Sequence, residues 1–145
     1  MKIKSSRLGD FEIEDNQIVS FADGIPGYEN DKSFVIIPVT DESPFYYMQA
    51  VNNPELCLVV NIPFVFFPDF EVDLPDDVTE GLGIKNDESL AIYTVVTIPE
   101  NFKESTANLL APIIVNGANR QGIQYVPAKS KYSIKHRIFP EPTKK

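Results

Sequence analysis

The 145-residue chain predicts an all-β, mostly antiparallel fold: a small barrel or sandwich with one or two short helices. Three observations lead there. Twelve prolines and seven glycines are spread along the whole length and cut the apolar segments into short pieces. Those pieces are rich in Val, Ile, Tyr, Phe and Thr, which suit a pleated, half-buried surface. Only one segment, beginning at Pro75, offers a clear helix start.

Phe11-Glu12-Ile13-Glu14 alternates apolar and acidic residues, as a half-buried strand does. Gln17 to Phe21 is a second short run, and Asp15-Asn16 between them is turn chemistry, so 11–21 reads as a hairpin. Gly24-Ile25-Pro26-Gly27 is a bend. Ser33 to Val39 is a continuous apolar run, expected to be a strand buried on both faces. Phe45 to Val51 is another strand, Asn52-Asn53-Pro54 turns the chain, and Leu56 to Ile62 is a β-branched strand ending before Pro63. Asp76 and Asp77 favour the positive end of a helix that Gly81 and Gly83 stop early. Leu90 to Ile98 carries the strongest strand signal, Glu104 to Leu110 suggests a helical turn, and Pro112 to Asn116 is a strand closed by an Asn116-Gly117 turn. Ile123 to Val126 follows. In the last strand Tyr132, Ile134, His136 and Ile138 share one face, and Ser133, Lys135 and Arg137 the other. With no internal repeat or linker, 1–145 reads as a single domain with its core in about 3–139 and a short tail over 140–145.

The formal net charge is -8. Its distribution is uneven: 129–145 holds six basic residues (Lys129, Lys131, Lys135, Arg137, Lys144, Lys145) against Glu141, which leaves 7 basic and 20 acidic residues, a net -13, on the rest. Such a body suits a basic protein partner rather than nucleic acid, whose phosphates need Lys and Arg. An RNA-binding role rests only on 129–137 with Tyr132. The lone Cys57 permits no internal disulfide, which fits a reducing compartment. No apolar segment follows the first residues as in a signal peptide, and Cys57 to Phe67, interrupted by Asn61 and Pro63, is too short to span a bilayer. The expectation is a cytoplasmic protein without membrane contact.

Catalytic chemistry finds little support. His136 is the single histidine, so no zinc pair exists, and its spacing makes it a partly buried strand residue. Cys57 sits among Leu56, Leu58, Val59 and Val60, an apolar setting in which a thiol is inert. Gly81-Leu82-Gly83 lacks the lysine and third glycine of a phosphate loop. Asp69, Glu71, Asp73, Asp76 and Asp77 lack the glycine and closing glutamate of a calcium loop and read as a solvated acidic loop. No cofactor, no metal and no catalytic residue is expected. The most unusual stretch is Pro63 to Phe70, with four phenylalanines in eight residues. It admits two readings: a core strand with Phe64 and Phe66 on one face, or an aromatic contact patch of Phe64, Phe66, Phe67 and Phe70 rimmed by Asp69, Glu71 and Asp73.

Several segments together resemble the FliW family of flagellar assembly factors. They are Phe21; Gly24-Ile25-Pro26-Gly27-Tyr28-Glu29; Phe34-Val35-Ile36; Ser43-Pro44-Phe45; Met48-Gln49-Ala50; and Pro54-Glu55-Leu56. The most specific run is Ser105 to Asn116, followed by Arg120-Gln121-Gly122-Ile123-Gln124. The resemblance covers about 3–139 and implies a β-barrel-like protein without enzymatic activity. It implies two protein partners: cytoplasmic flagellin, and CsrA, a small dimeric RNA-binding protein that represses flagellin translation. Flagellin would occupy the protein until exported, and the freed protein would then bind CsrA away from its RNA surface and weaken RNA binding. The motif residues themselves read as structural: Gly24, Pro26 and Gly27 for backbone geometry, Asn108 for pinning a turn, and Leu109 and Pro112 for core and strand entry. A monomer is expected. The alternatives are a barrel enzyme using a carboxylate pair and a ligand-binding module, each of which needs a pocket with convergent polar groups.

Overall fold

A computed structural model describes residues 2–83, 90–127 and 130–139. Eleven strands and two short helices lie in this range: β1 Lys2–Ile3, β2 Phe11–Glu12, β3 Ile18–Phe21, β4 Ser33–Pro38, β5 Phe45–Ala50, β6 Cys57–Asn61, α1 Pro63–Phe66, α2 Asp76–Gly81, β7 Leu90–Thr97, β8 Thr106–Ala107, β9 Ile113–Asn116, β10 Gln121–Gln124 and β11 His136–Arg137. The fold is mostly β, as the sequence predicts.

Strands β3 to β7 run antiparallel in chain order, β10 joins β3 in parallel and β9 in antiparallel, and β9 returns to β7. The result is a closed seven-stranded barrel. Its closure uses the first half of β7, where Leu90 faces Asn116 and Tyr93 faces Ile113. The second half faces β8 along the same edge, with Val96 opposite Ala107, and β11 adds to β8. One strand thus serves both the barrel and a small flap beside it.

Alternation along each strand sorts side chains between two compartments. Val19, Phe21, Phe34, Met48, Val60, Ile113 and Val115 fill the barrel. Outside it, Val35 is covered by the β1–β2 ribbon through Ile3 and Ile13. Val59, Ile92 and Val96 point out into a second cluster with Phe70, Ala107, Leu109 and Ile138. Strands covered on both faces read as unbroken apolar runs, so the two-sided burial expected of 33–39 holds at Phe34 and Val35, with Ile36 and Ile37 half-buried and Val39 exposed.

Several expected elements are different. The 11–21 hairpin does not form: β2 pairs with β1, a 3-10 turn occupies Asp15–Gln17, and β3 pairs with β4 and β10. Gln17 closes that turn by accepting from Glu14 N–H through its side chain at 2.8 Å. The helical turn expected over 104–110 is a 3-10 turn at Phe102–Glu104 followed by strand β8. The strand expected at 123–126 sits earlier, at Gln121–Gln124. The last strand shrinks to His136–Arg137, and Ile134, which should share a face with Ile138, is 57% exposed while Ile138 is buried. Helix α2 has Pro75 as its N-cap rather than inside its first turn.

Gly24 and Gly27 both have positive φ, +70° and +90°. At Gly24 a Cβ would lie 2.6 Å from the Glu29 carbonyl oxygen, whereas nothing lies within 4 Å at Gly27. Gly27 N–H donates to the Glu29 carboxylate at 2.6 Å, which holds the bend. Gly24→Ala is therefore expected to cost about 2–3 kcal/mol, from left-handed strain plus a backbone clash, and Gly27→Ala about 1 kcal/mol. Denaturant unfolding of the two variants checks the order, and equal losses would contradict it.

Candidate functional site

The Pro63–Phe70 stretch is not a core strand. Pro63 suits the first turn of a helix and Phe67 precedes a proline, which disfavours helical backbone, so the residues between close one turn and stop. Phe67 N–H donates to the Pro63 carbonyl at 2.7 Å. Helical rather than strand spacing then divides the rings. Phe64 and Val65 are 41% and 58% exposed, Phe66 and Phe67 are half-buried, and Phe70 is buried.

These rings join others from distant parts of the chain. Phe66 stands 5.4 Å from Phe45 and 6.1 Å from Phe139, which in turn meets Phe102 at 5.1 Å. Phe70 meets Phe64 at 5.7 Å and Tyr132 at 4.9 Å, and His136 sits between Tyr132 and Phe67. The flap, α1 and the 67–70 turn thus form an aromatic collar on the outer face of β6 and β7. Pairs at these separations add about 0.5–1.5 kcal/mol each beyond the area they bury.

Beyond Phe70 the chain runs through 71–75 without regular secondary structure, with Glu71 and Asp73 exposed and Val72 and Leu74 half-buried. Glu71 N–H donates to the Tyr132 hydroxyl at 3.0 Å. The C-terminal end of α2 is also held: Asn116, the last residue of β9, and Asn119, in the turn after it, both donate from Nδ2 to the Leu82 carbonyl, at 2.9 and 2.8 Å. Between 71–75 and the facing residues of 125–127 and 130–132 lies an open groove of about 470 Å³. Leu109, Pro112 and Phe70 line it from the core side, and Tyr125, Pro127 and Tyr132 form the opposite wall.

Of the residues singled out from sequence, Phe70, Glu71 and Asp73 line this groove and Phe64 touches it through Phe70, while Asp69 is exposed at its aromatic end. Phe66 and Phe67 belong to the collar. Leu109 and Pro112 are buried, yet both also line the groove. Asn108 pins its turn as expected: its Oδ1 accepts from Leu110 and Ala111 N–H at 3.1 and 3.2 Å. Gly24, Pro26 and Gly27 lie in the bend that joins β3 to β4. Tyr125 and Pro127 were not singled out from sequence, and Tyr132 only with the basic strip as an RNA contact; they lie about 50–60 positions from Glu71, and only the barrel's return through β9 and β10 brings them near. Lys129, Glu141, Lys144 and Lys145 of the basic strip fall outside the described residues.

Among the described residues no Asp or Glu is buried, and no group of three or more metal-ligating side chains converges. His136 Nε2 accepts from Ser133 N–H at 2.8 Å, so its ring closes a local turn. Cys57 is half-buried in β6, and burial pushes its thiol up, with the Arg7 charge opposing only in part. Among the described residues no helix is long and apolar enough to cross a membrane.

A closed barrel that sets an aromatic collar and an acid-rimmed groove on one outer face belongs to the small β-barrel proteins that present a surface rather than an enclosed pocket. Comparison with known proteins identifies which of these it is. A family model described as FliW protein matches residues 2–138. The flagellar assembly factor FliW of Syntrophomonas wolfei is 43% identical over 99% of this chain and 91% of its own. That of Bacillus subtilis is 42% identical over 95% of this chain and 96% of its own. A crystal structure of the flagellar assembly factor FliW superposes with a TM-score of 0.93 at 40% identity, covering 99% of this chain and 100% of that one. The chain belongs to the FliW family.

Two outcomes follow from this geometry. Because the raised Cys57 pKa depletes thiolate below the ordinary cysteine value, alkylation by iodoacetamide at pH 8 is expected to be several-fold slower in the folded chain than in denaturant; equal rates would show an accessible thiolate. Tyr132→Phe removes the acceptor of Glu71 N–H and is expected to cost about 1 kcal/mol. Amide exchange at Glu71 should accelerate well beyond exchange in β4 and β5, and unchanged protection would contradict the pinning.

Proposed function

We propose that this protein is a flagellar assembly factor that acts in the cytoplasm by protein–protein contact, as a monomer and without a catalytic step. It binds CsrA and antagonises its RNA binding non-competitively, and it binds cytoplasmic flagellin, so that flagellin export releases it to relieve CsrA repression. Family membership over residues 2–138 supports the flagellar assignment. The observation that carries the contact chemistry is the meeting, on one outer face, of exposed or half-exposed rings and the carboxylates of Asp69, Glu71 and Asp73.

An RNA-binding protein must be basic, so an acidic body is steered towards it. Docked beside the RNA surface, the same charge opposes phosphate. A single carboxylate–phosphate pair about 10 Å apart costs roughly 0.4 kcal/mol in water before screening. One pair is therefore too weak, and the net -8 of the whole chain is what acts. This mechanism weakens with salt, because the screening length shrinks to a few ångströms near 1 M.

Gel filtration with CsrA, with flagellin and with both tests the switch. Co-elution with each alone, and displacement of CsrA by flagellin, are the expected results; co-elution with neither sinks the reading. Charge reversal at Asp69, Glu71 and Asp73 together is expected to weaken CsrA binding about tenfold or more, since rim charges each carry about 0.2–1 kcal/mol. Unchanged CsrA binding and RNA release would remove this face from the contact.

A further inference from the structure

We propose that the groove between 71–75 on one side and 125–127 with 130–132 on the other takes an extended segment of a partner protein in which lysine or arginine alternates with apolar side chains. The proposal rests on the reading that this face meets a protein partner, and it names the chemistry of what enters.

Shape comes first. The groove is open, with a volume of about 470 Å³, and six consecutive residues, Phe70 to Pro75, line one side of it, which suits a chain segment lying alongside them. That side is chain without regular secondary structure. Residues 71–75 lie outside every strand, so most of their backbone N–H and C=O groups are not part of a sheet ladder. An incoming extended segment can pair with such an edge. The floor and far wall are Leu109, Pro112, Tyr125 and Tyr132, apolar surfaces with rigid rings that order little on binding.

Charge decides the occupant. Glu71 and Asp73 project from the groove's rim, and Asp69, Asp76 and Asp77 flank it in sequence, all exposed. The one described cation lining the groove is Lys131, whose Nζ lies 5.4 Å from the Tyr132 ring centroid. An extended chain presents successive side chains to opposite sides. Apolar residues facing the Tyr125–Leu109 floor therefore alternate with cations facing the carboxylate rim. A second copy of this chain, acidic over most of its length, is disfavoured by the same charge.

The groove is also preorganised. Phe70 is buried at one end, Glu71 N–H is held by the Tyr132 hydroxyl, and Leu109 and Pro112 are buried beneath it. Little ordering is left to oppose binding.

The test titrates the isotope-labelled full chain with a synthetic ten-residue peptide alternating lysine with leucine, and with its counterpart carrying glutamate for lysine, followed by amide chemical shifts. Saturable shifts confined to 70–75, 109–112, 125–127 and 130–132 are expected with the lysine peptide and none with the glutamate peptide. Tyr125→Ala and Leu74→Ser, checked for an unchanged thermal transition, should each weaken binding at least tenfold. Shifts elsewhere, equal response to both peptides, or dimer formation through the groove would overturn the proposal. CsrA and flagellin are run against the same variants. If both bind wild type and neither is weakened by Tyr125→Ala and Leu74→Ser, the groove fails while the partner reading stands. If neither binds wild type, the partner reading fails and the peptide result is judged on its own.

Discussion

The pairing of β7 with β9 is the constraint on which the rest depends. By joining Leu90–Tyr93 to Ile113–Asn116 it closes the barrel and encloses Phe21, Phe34, Met48 and Ile113 away from water. It also fixes where everything outside the barrel must go. β9 ends along β7 before Val96, so the remaining edge is free for β8 and, through β8, for the flap. Outward, β6 and β7 present apolar Val59, Ile92 and Val96 beside a buried Asn61, whose Oδ1 accepts from the Thr94 hydroxyl, and a face of this kind must be covered. α1, the 67–70 turn and the flap cover it, and their rings are the collar. The proposed contact face is thus what the barrel requires as a lid, with its surplus aromatic surface and a carboxylate rim left at the margin.

The same closure builds the groove. Asn116, the last residue of β9, and Asn119, in the turn after it, hold the end of α2, and the chain after β10 supplies Tyr125 and Pro127. Stability and recognition therefore share residues. Leu109 and Pro112 are buried against the core and still line the groove, and Tyr132 supports the 71–75 segment through its hydroxyl while its ring packs on Phe70. A family motif that looks structural in sequence can in this way set the shape of a surface.

Legibility in the sequence followed the physics of each part. β4 to β7 and β9 were readable because β-branched and aromatic residues fill both faces of strands that are covered on both sides. α2 was readable from its acidic first turn and terminal glycines. Pro63–Phe67 was not: strand alternation and a single helical turn both fit four apolar residues, and the deciding feature was the pair of prolines, one suited to starting a helix and the other to ending it. β8 was missed, and the last strand was read too long, because two-residue strands are fixed by their partners, Val96 and Ala107, not by their own composition. The carboxylate rim was visible as a run of acids beside phenylalanines. Its opposite wall was not, since Tyr125 and Tyr132 reach it only through the barrel's topology; the signal available was a tyrosine–proline pair beside the basic strip, which alone points nowhere.

Amide hydrogen exchange across the whole chain, with and without CsrA, tests the central claim most directly, because it maps the footprint without any substitution. The account predicts new protection concentrated in 64–75, 125–127 and 130–132, with the barrel strands β3 to β5 unchanged. Protection confined to the 24–30 bend and the β1–β2 ribbon, with 64–75 exchanging as in the free protein, would contradict it.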